Sequence, residues 1–167
     1  MYISAFIPIL LLTLIYGYLN GLHGSAIIVA TSISSRAVHP RVAILIAAIT
    51  IGLGPAVLGV AVANTIGNEL LTHDAIQPSV ITAGLIGAVV WSGFTFWAKI
   101  PSSISQALFG GLIGAAIAYS GIEAIQSPGL IKILTALFLS PVLGLICAFV
   151  IVRLTYALTV NATPHIN

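Results

Sequence analysis

Asn20-Gly-Leu-His-Gly-Ser-Ala-Ile-Ile-Val-Ala-Thr-Ser-Ile-Ser-Ser-Arg-Ala-Val-His-Pro-Arg41 is the stretch on which the reading of this chain turns. It lies between two strongly apolar segments, yet it carries Asn20, His23, Ser25, Thr31, Arg36 and Arg41. Gly21 and Gly24 open it, and glycine lets the backbone leave regular helix at such a point. A polar, glycine-interrupted segment set into hydrophobic sequence is where transporters place substrate and ion sites. A membrane loop followed by an ordinary helix fits the same spacing.

Composition decides the class. Of 167 residues, 59% are hydrophobic and 5% charged, and the mean hydropathy is +1.20. Soluble domains carry about 25% charged residues, so this chain cannot cover itself with a solvated surface. An all-α, polytopic integral membrane protein follows, forming a single transmembrane domain over residues 1–167, with the lipid bilayer as its first partner. The net charge of +2 is too small to point to nucleic acid. The lone Cys147 excludes an internal disulfide and a cysteine metal cluster, and reads as a small packing residue.

Outward from the polar stretch, residues 1–18 form an uncharged apolar run with no Lys or Arg ahead of it. That pattern is a first transmembrane helix rather than a secretory signal. One helix from residue 1 to 35 would be about 50 Å long, so a break is expected near Gly21–Gly24. Residues 25–35 then become a short re-entrant or half-helix element, protected at depth by other protein. Residues 42–64 make a further apolar run in which Pro55 should kink or split the helix. A polar connection over 65–77 follows, and residues 79–97 span again. The cluster Trp91, Phe94, Phe96 and Trp97 at the end of that span reads as an interfacial anchor, with a ligand cage as the lesser alternative. Residues 107–119 and 131–158 complete about six membrane segments, the last containing Pro141, and the polar tail 159–167 is expected to fray.

Charge placement supplies an orientation. With six segments, Arg36, Arg41, Lys99 and Arg153 share one side, while Glu69, Asp74, Glu123 and Lys132 fall on the other. The positive-inside rule makes the first side cytoplasmic, with both termini there. The sequon Asn161-Ala-Thr163 then has no meaning.

The second polar intrusion is Pro101-Ser-Ser-Ile-Ser-Gln-Ala-Leu-Phe-Gly-Gly-Leu-Ile-Gly-Ala115. Gly110 and Gly114 are four apart, as are Gly111 and Ala115, so one helix face permits close approach of a neighbour.

Both intrusions resemble the inorganic phosphate transporter (PiT) family. Its first signature runs Asn-Gly-aromatic-His/Asn-Asp-x-Ala-Asn-x-Ile-Ala-Thr, then Ser-Thr-Arg-Ala-Leu-x-Pro. Its second runs Pro-x-Ser/Thr-Ser/Thr-Ser/Thr-His-Ala-Leu-x-Gly-Gly-Leu-x-Gly. Here Gly24 stands in place of the family's Asp, Ile27 in place of its second Asn, Ile104 in place of a hydroxyl and Gln106 in place of the His. The resemblance covers most of the chain as one structural repeat of the usual transporter. It implies substrate-binding roles for Asn20, His23, Ser25, Thr31, Ser103, Ser105 and Gln106, with Gly110, Gly111 and Gly114 packing helices.

A phosphate at bilayer depth needs many donors, since an unpaired charge there costs several kcal/mol. Hydroxyls, amides and helix N-termini supply them. The bland readings stand beside these: His23 as a hydrogen-bonded structural histidine, Ser and Thr bonded to their own backbone. No Ser-His-acid set, carboxylate pair or metal spacing is present, so the chain is not read as an enzyme and no cofactor or metal is expected. The lost ligands favour a structural or accessory subunit packed with other membrane subunits or a second copy. The alternative is a half-size, cation-coupled phosphate transporter working as a dimer or with a partner half.

Overall fold

A computed structural model describes residues 2–58 and 64–160 of the chain. The described residues are mostly helical: α1 (Tyr2–Ser34), α2 (Pro40–Leu58), α3 (Pro78–Trp97), α4 (Ile104–Ser120) and α5 (Ser127–Thr159). Short turns of π and 3-10 helix occupy Ile66–Leu70, His73–Ala75 and Ile122–Ala124. Three stretches are long and apolar enough to cross a membrane: Phe6–Ser34, Pro78–Trp97 and Ser127–Thr159. Pro40–Gly54 and Ile104–Ser120 are shorter apolar helices. The end of the second apolar run at 59–63, the tail from 161 and the Asn161 sequon lie outside the described residues.

The expected break in the first segment is absent. α1 runs unbroken through Gly21 and Gly24, so among the described residues five apolar helices stand in place of the expected six or so segments. The reason is energetic. Glycine inside a helix costs about 1 kcal/mol, whereas backbone groups freed by a break in an apolar medium cost several kcal/mol each. Polar side chains also find partners within the helix. Thr13 Oγ1 donates to the Ile9 carbonyl at 2.8 Å, and Ser25 Oγ donates to the Leu22 carbonyl at 3.4 Å. α2 likewise continues past Gly52, Gly54 and Pro55 to Leu58 without splitting.

Residues 1–126 form one compact unit and residues 127–167 another. The core of the first is the packing of α3 on α4, with α1 against α3 and α2 against α1. Gly84, Ala88, Ser92 and Thr95 are buried on α3, and Leu112 and Ala116 on α4. The backbones approach closely because Gly84 and Gly111 carry no side chain. A Cβ on Gly111 would collide with the Gly84 carbonyl, and a Cβ on Gly84 would lie 2.7 Å from Leu112 Cδ2. Gly110 and Gly114 have nothing within 4 Å of such an atom.

At one end of α3 and α4 the connections are stitched together. Thr72 N–H donates to the Ala124 carbonyl and Gln126 N–H to the Leu70 carbonyl, each at 2.9 Å. Leu71 and Ile125 form an antiparallel bridge, and Gln126 Nε2 donates to the Leu71 carbonyl at 3.0 Å. Leu70, Leu71, Ala75 and Ala124 are buried beneath it. At the other end α3 closes with Lys99 in the left-handed region (φ 57°). There Lys99 N–H donates to the Phe96 carbonyl and Ile100 N–H to the Thr95 carbonyl, a Schellman-type stop.

In the second unit, α5 is a 33-residue helix with Pro141 inside it. Arg153 lies 5.4 Å from the centre of the Phe149 ring one turn back. Cys147, expected as a packing residue, is exposed.

Candidate functional site

The residues of the first motif divide between two faces of α1. Half-buried Ile9, Leu12, Tyr16, Leu19 and His23 recur at helical spacing. His23 sits edge-on to Phe96 of α3, with ring centres 5.4 Å apart. Its Nδ1–H donates to the Leu19 carbonyl at 3.1 Å, because a carbonyl can only accept. Its Nε2 is buried without a partner, as is Ser92 Oγ on α3. Tyr16 donates its hydroxyl to the Ile104 carbonyl at 3.1 Å, tying α1 to the start of α4. His23 therefore packs in the manner of a structural histidine and does not reach the second motif's hydroxyls.

Asn20, Gly24, Ile27 and Thr31 fall at i, i+4, i+7 and i+11, along a different edge of the helix. Asn20 and Thr31 are exposed, Ile27 is 74% exposed, and an added Cβ on Gly24 meets nothing within 4 Å. Ser25 is exposed and bonded to its own helix.

The second motif builds a cavity. An open groove of about 520 Å³ is lined by Gly87 and Trp91 of α3, Pro101, Ser102 and Ser103 of the connection, and Gln106, Ala107, Gly110 and Gly111 of α4. Ser103 is the N-cap of α4, and its Oγ accepts the Gln106 backbone N–H at 3.4 Å. Ser102 Oγ accepts the Trp91 indole N–H at 3.1 Å. Each hydroxyl thus has an acceptor site filled and keeps its own hydrogen for donation. The first-turn amides of α4 and the positive end of its dipole lie beside them. With no acidic side chain in the lining, the groove is a donor-rich setting suited to an oxyanion. Ser105 is exposed and does not line it.

The groove brings together Ser103 and Gln106 of the seven residues implied by the resemblance. Asn20, His23, Ser25, Thr31 and Ser105 stand elsewhere. Trp91 and Ser102 were missed. Within the aromatic cluster Trp97 is 79% exposed, whereas Trp91, 52% exposed and 6.1 Å from the Phe94 ring, lines the groove. The available signal was the indole itself, which seeks a hydrogen-bond partner in apolar surroundings, with hydroxyls following in the next loop. Among the described residues no group of His, Cys, Asp and Glu is arranged to hold a metal.

These features define a polytopic α-helical membrane protein with a donor-lined groove at a helix N-terminus. Residues 20–167 match the model of the phosphate transporter family, and the chain belongs to that family. A Rhizobium meliloti (strain 1021) protein named "Probable low-affinity inorganic phosphate transporter" is 36% identical over 158 residues, 95% of this chain and 47% of its own length. A Bacillus subtilis (strain 168) protein of the same name is 37% identical, over 87% of this chain and 44% of its own length. One from Streptomyces halstedii is 38% identical, over 86% and 68%. The chain spans about half the length of the first two relatives. No solved structure matches it.

Proposed function

We propose that this chain supplies one phosphate-handling half of an inorganic phosphate transporter, the donor-lined groove of the second motif holding the anion. The observation that carries this reading is the geometry of Ser102 and Ser103, two hydroxyls at the start of α4 with their hydrogens left to donate. The names of the relatives supply the substrate. The exposed edge Asn20, Gly24, Ile27, Thr31 and the open faces of Gly110 and Gly114 are the surfaces for the other half, whether a second copy or a distinct chain. The second reading, an accessory subunit that transports nothing, is favoured by Gly24 and Ile27, which remove a carboxylate and an amide.

Phosphate titration of the detergent-purified chain tests the proposal. Saturable binding is expected, weakened roughly tenfold by Ser103→Ala, which removes one charge-assisted hydrogen bond. Absence of any saturable binding would leave the accessory reading as the answer.

Taking the unbroken α1 as one crossing, we propose a different orientation from the one that six segments give. As a single crossing it separates residue 1 from Arg36. Arg36, Arg41 and Lys99 then share the cytoplasmic side, and Glu69, Asp74 and Glu123 the opposite side together with the N-terminal end of α1. The hydrogen bonds joining 70–72 to 124–126 support placing the three acids together. In a Cys147→Ala background, Ser35→Cys is expected to label from the cytoplasm and Asp74→Cys from the other face. A tag ahead of α1 should be accessible with Asp74→Cys. Labelling of the tag from the cytoplasm would restore an orientation in which α1 enters and leaves the same side.

A further inference from the structure

We infer that Trp91 is a positioning residue of the groove: its indole N–H fixes the Ser102 hydroxyl as a donor toward a bound oxyanion. The inference rests on the phosphate reading of the groove and extends it to a side chain outside the family's signature stretches.

Three observations carry it. Trp91 lies on α3, in the last two turns, whereas Ser102 lies in the connection to α4, so their 3.1 Å bond is a contact between elements. Both residues line the same groove. The donor and acceptor roles are fixed by chemistry, since an indole N–H has no lone pair to accept with. Ser102 Oγ must accept, and the hydroxyl that accepts there turns its own hydrogen away from the indole. Polarisation along such a chain strengthens the second bond.

A serine hydroxyl otherwise samples three rotamers and donates to nearby backbone carbonyls, as Ser25, Ser34 and Ser35 do in and just after α1, each to the carbonyl three residues earlier. A hydroxyl donating to a carbonyl is spent as a donor. At Ser102 the indole N–H instead holds the oxygen in one rotamer, facing the groove it lines. Gly87, one turn earlier, has only the Gly111 Cα near its missing Cβ, at 3.7 Å, and both glycines line the groove with the indole. Gln106 lines the same groove, and its amide carbonyl is a side-chain acceptor for a protonated phosphate oxygen.

The test is a double-mutant cycle read by inorganic phosphate titration of the purified full chain. Trp91→Phe keeps the ring and deletes the donor; Ser102→Ala deletes the hydroxyl. Each single substitution is expected to weaken phosphate binding about tenfold, and the double variant no more than Ser102→Ala alone. Purely structural loss of aromatic packing would instead spare Trp91→Phe, and full additivity of the two changes would overturn the inference. Trp91 Nε1–H exchange, followed by NMR of the indole, is the readout that needs no phosphate. Faster exchange in Ser102→Ala supports the contact, and unchanged exchange overturns it. If the unsubstituted chain binds no phosphate, the phosphate reading falls, and indole exchange still decides whether Trp91 holds Ser102.

Discussion

Gly111→Leu is expected to prevent the first unit from folding, whereas Gly114→Leu leaves it folded. A Cβ on Gly111 meets the Gly84 carbonyl and, at 3.3 Å, the Ala88 backbone nitrogen. Those atoms belong to helix backbone and cannot rotate away as a side-chain tip can. The helices must separate, which also opens the burial of Val80, Leu85, Ala88 and Leu112. Overpacking costs about 1–3 kcal/mol where side chains absorb it, and a backbone collision lies at or beyond the top of that range. Gly111→Ala should already lower the midpoint of thermal unfolding in detergent. Gly114 has open space, so Gly114→Leu reports on association with another chain. A Gly111→Leu protein that elutes, melts and binds phosphate as the parent does would mean that α3 and α4 do not meet at Gly84 and Gly111.

The chain alone is expected to show no sodium-driven phosphate uptake in proteoliposomes, and Gly24→Asp with Ile27→Asn should introduce sodium dependence into phosphate binding. A dianion held in an apolar medium needs a counter-charge, and the edge of α1 where the family carries Asp and Asn presents Gly24 and Ile27. The two positions are three apart on an uninterrupted helix, hence neighbours on its surface. Both side chains can be introduced without steric cost, since Gly24 has free space and Ile27 is 74% exposed. Coupling between two ligands is commonly about 5- to 150-fold in affinity and is reciprocal. Sodium should therefore tighten phosphate binding in the double variant by roughly tenfold, and phosphate should tighten sodium equally. In the parent chain, exchange of sodium for potassium should change nothing. Saturable sodium-dependent uptake by the parent would show that a cation site survives without the carboxylate and the amide. A double variant indifferent to sodium would show that α1's edge does not face the anion in the assembled protein.

The amino-acid sequence by itself determined the class. With 5% charged residues there is no arrangement of this chain that solvates its surface, and the two motifs pointed to the phosphate transporter family that residues 20–167 match. Sequence also marked the second polar intrusion, through its resemblance to the family's second signature, but it started the following helix at Ala107, whereas α4 begins at Ile104 with Ser103 as its N-cap. The continuity of α1 was not legible. Gly21 and Gly24 permit a break but do not force one, and the choice depends on whether freed backbone groups would find partners. Only tertiary structure decided which polar residues share a site. The faces of α1 are selected by what packs on them, and Phe96 takes His23 while the edge bearing Asn20 and Thr31 stays open. Gly111 and Gly114 look alike in sequence, yet one meets backbone and the other open space, because the crossing point of α3 and α4 falls at Gly84. The bond from Trp91 to Ser102 is of the same kind, joining a helix to the loop that follows the next turn of chain, where only the fold sets the distance.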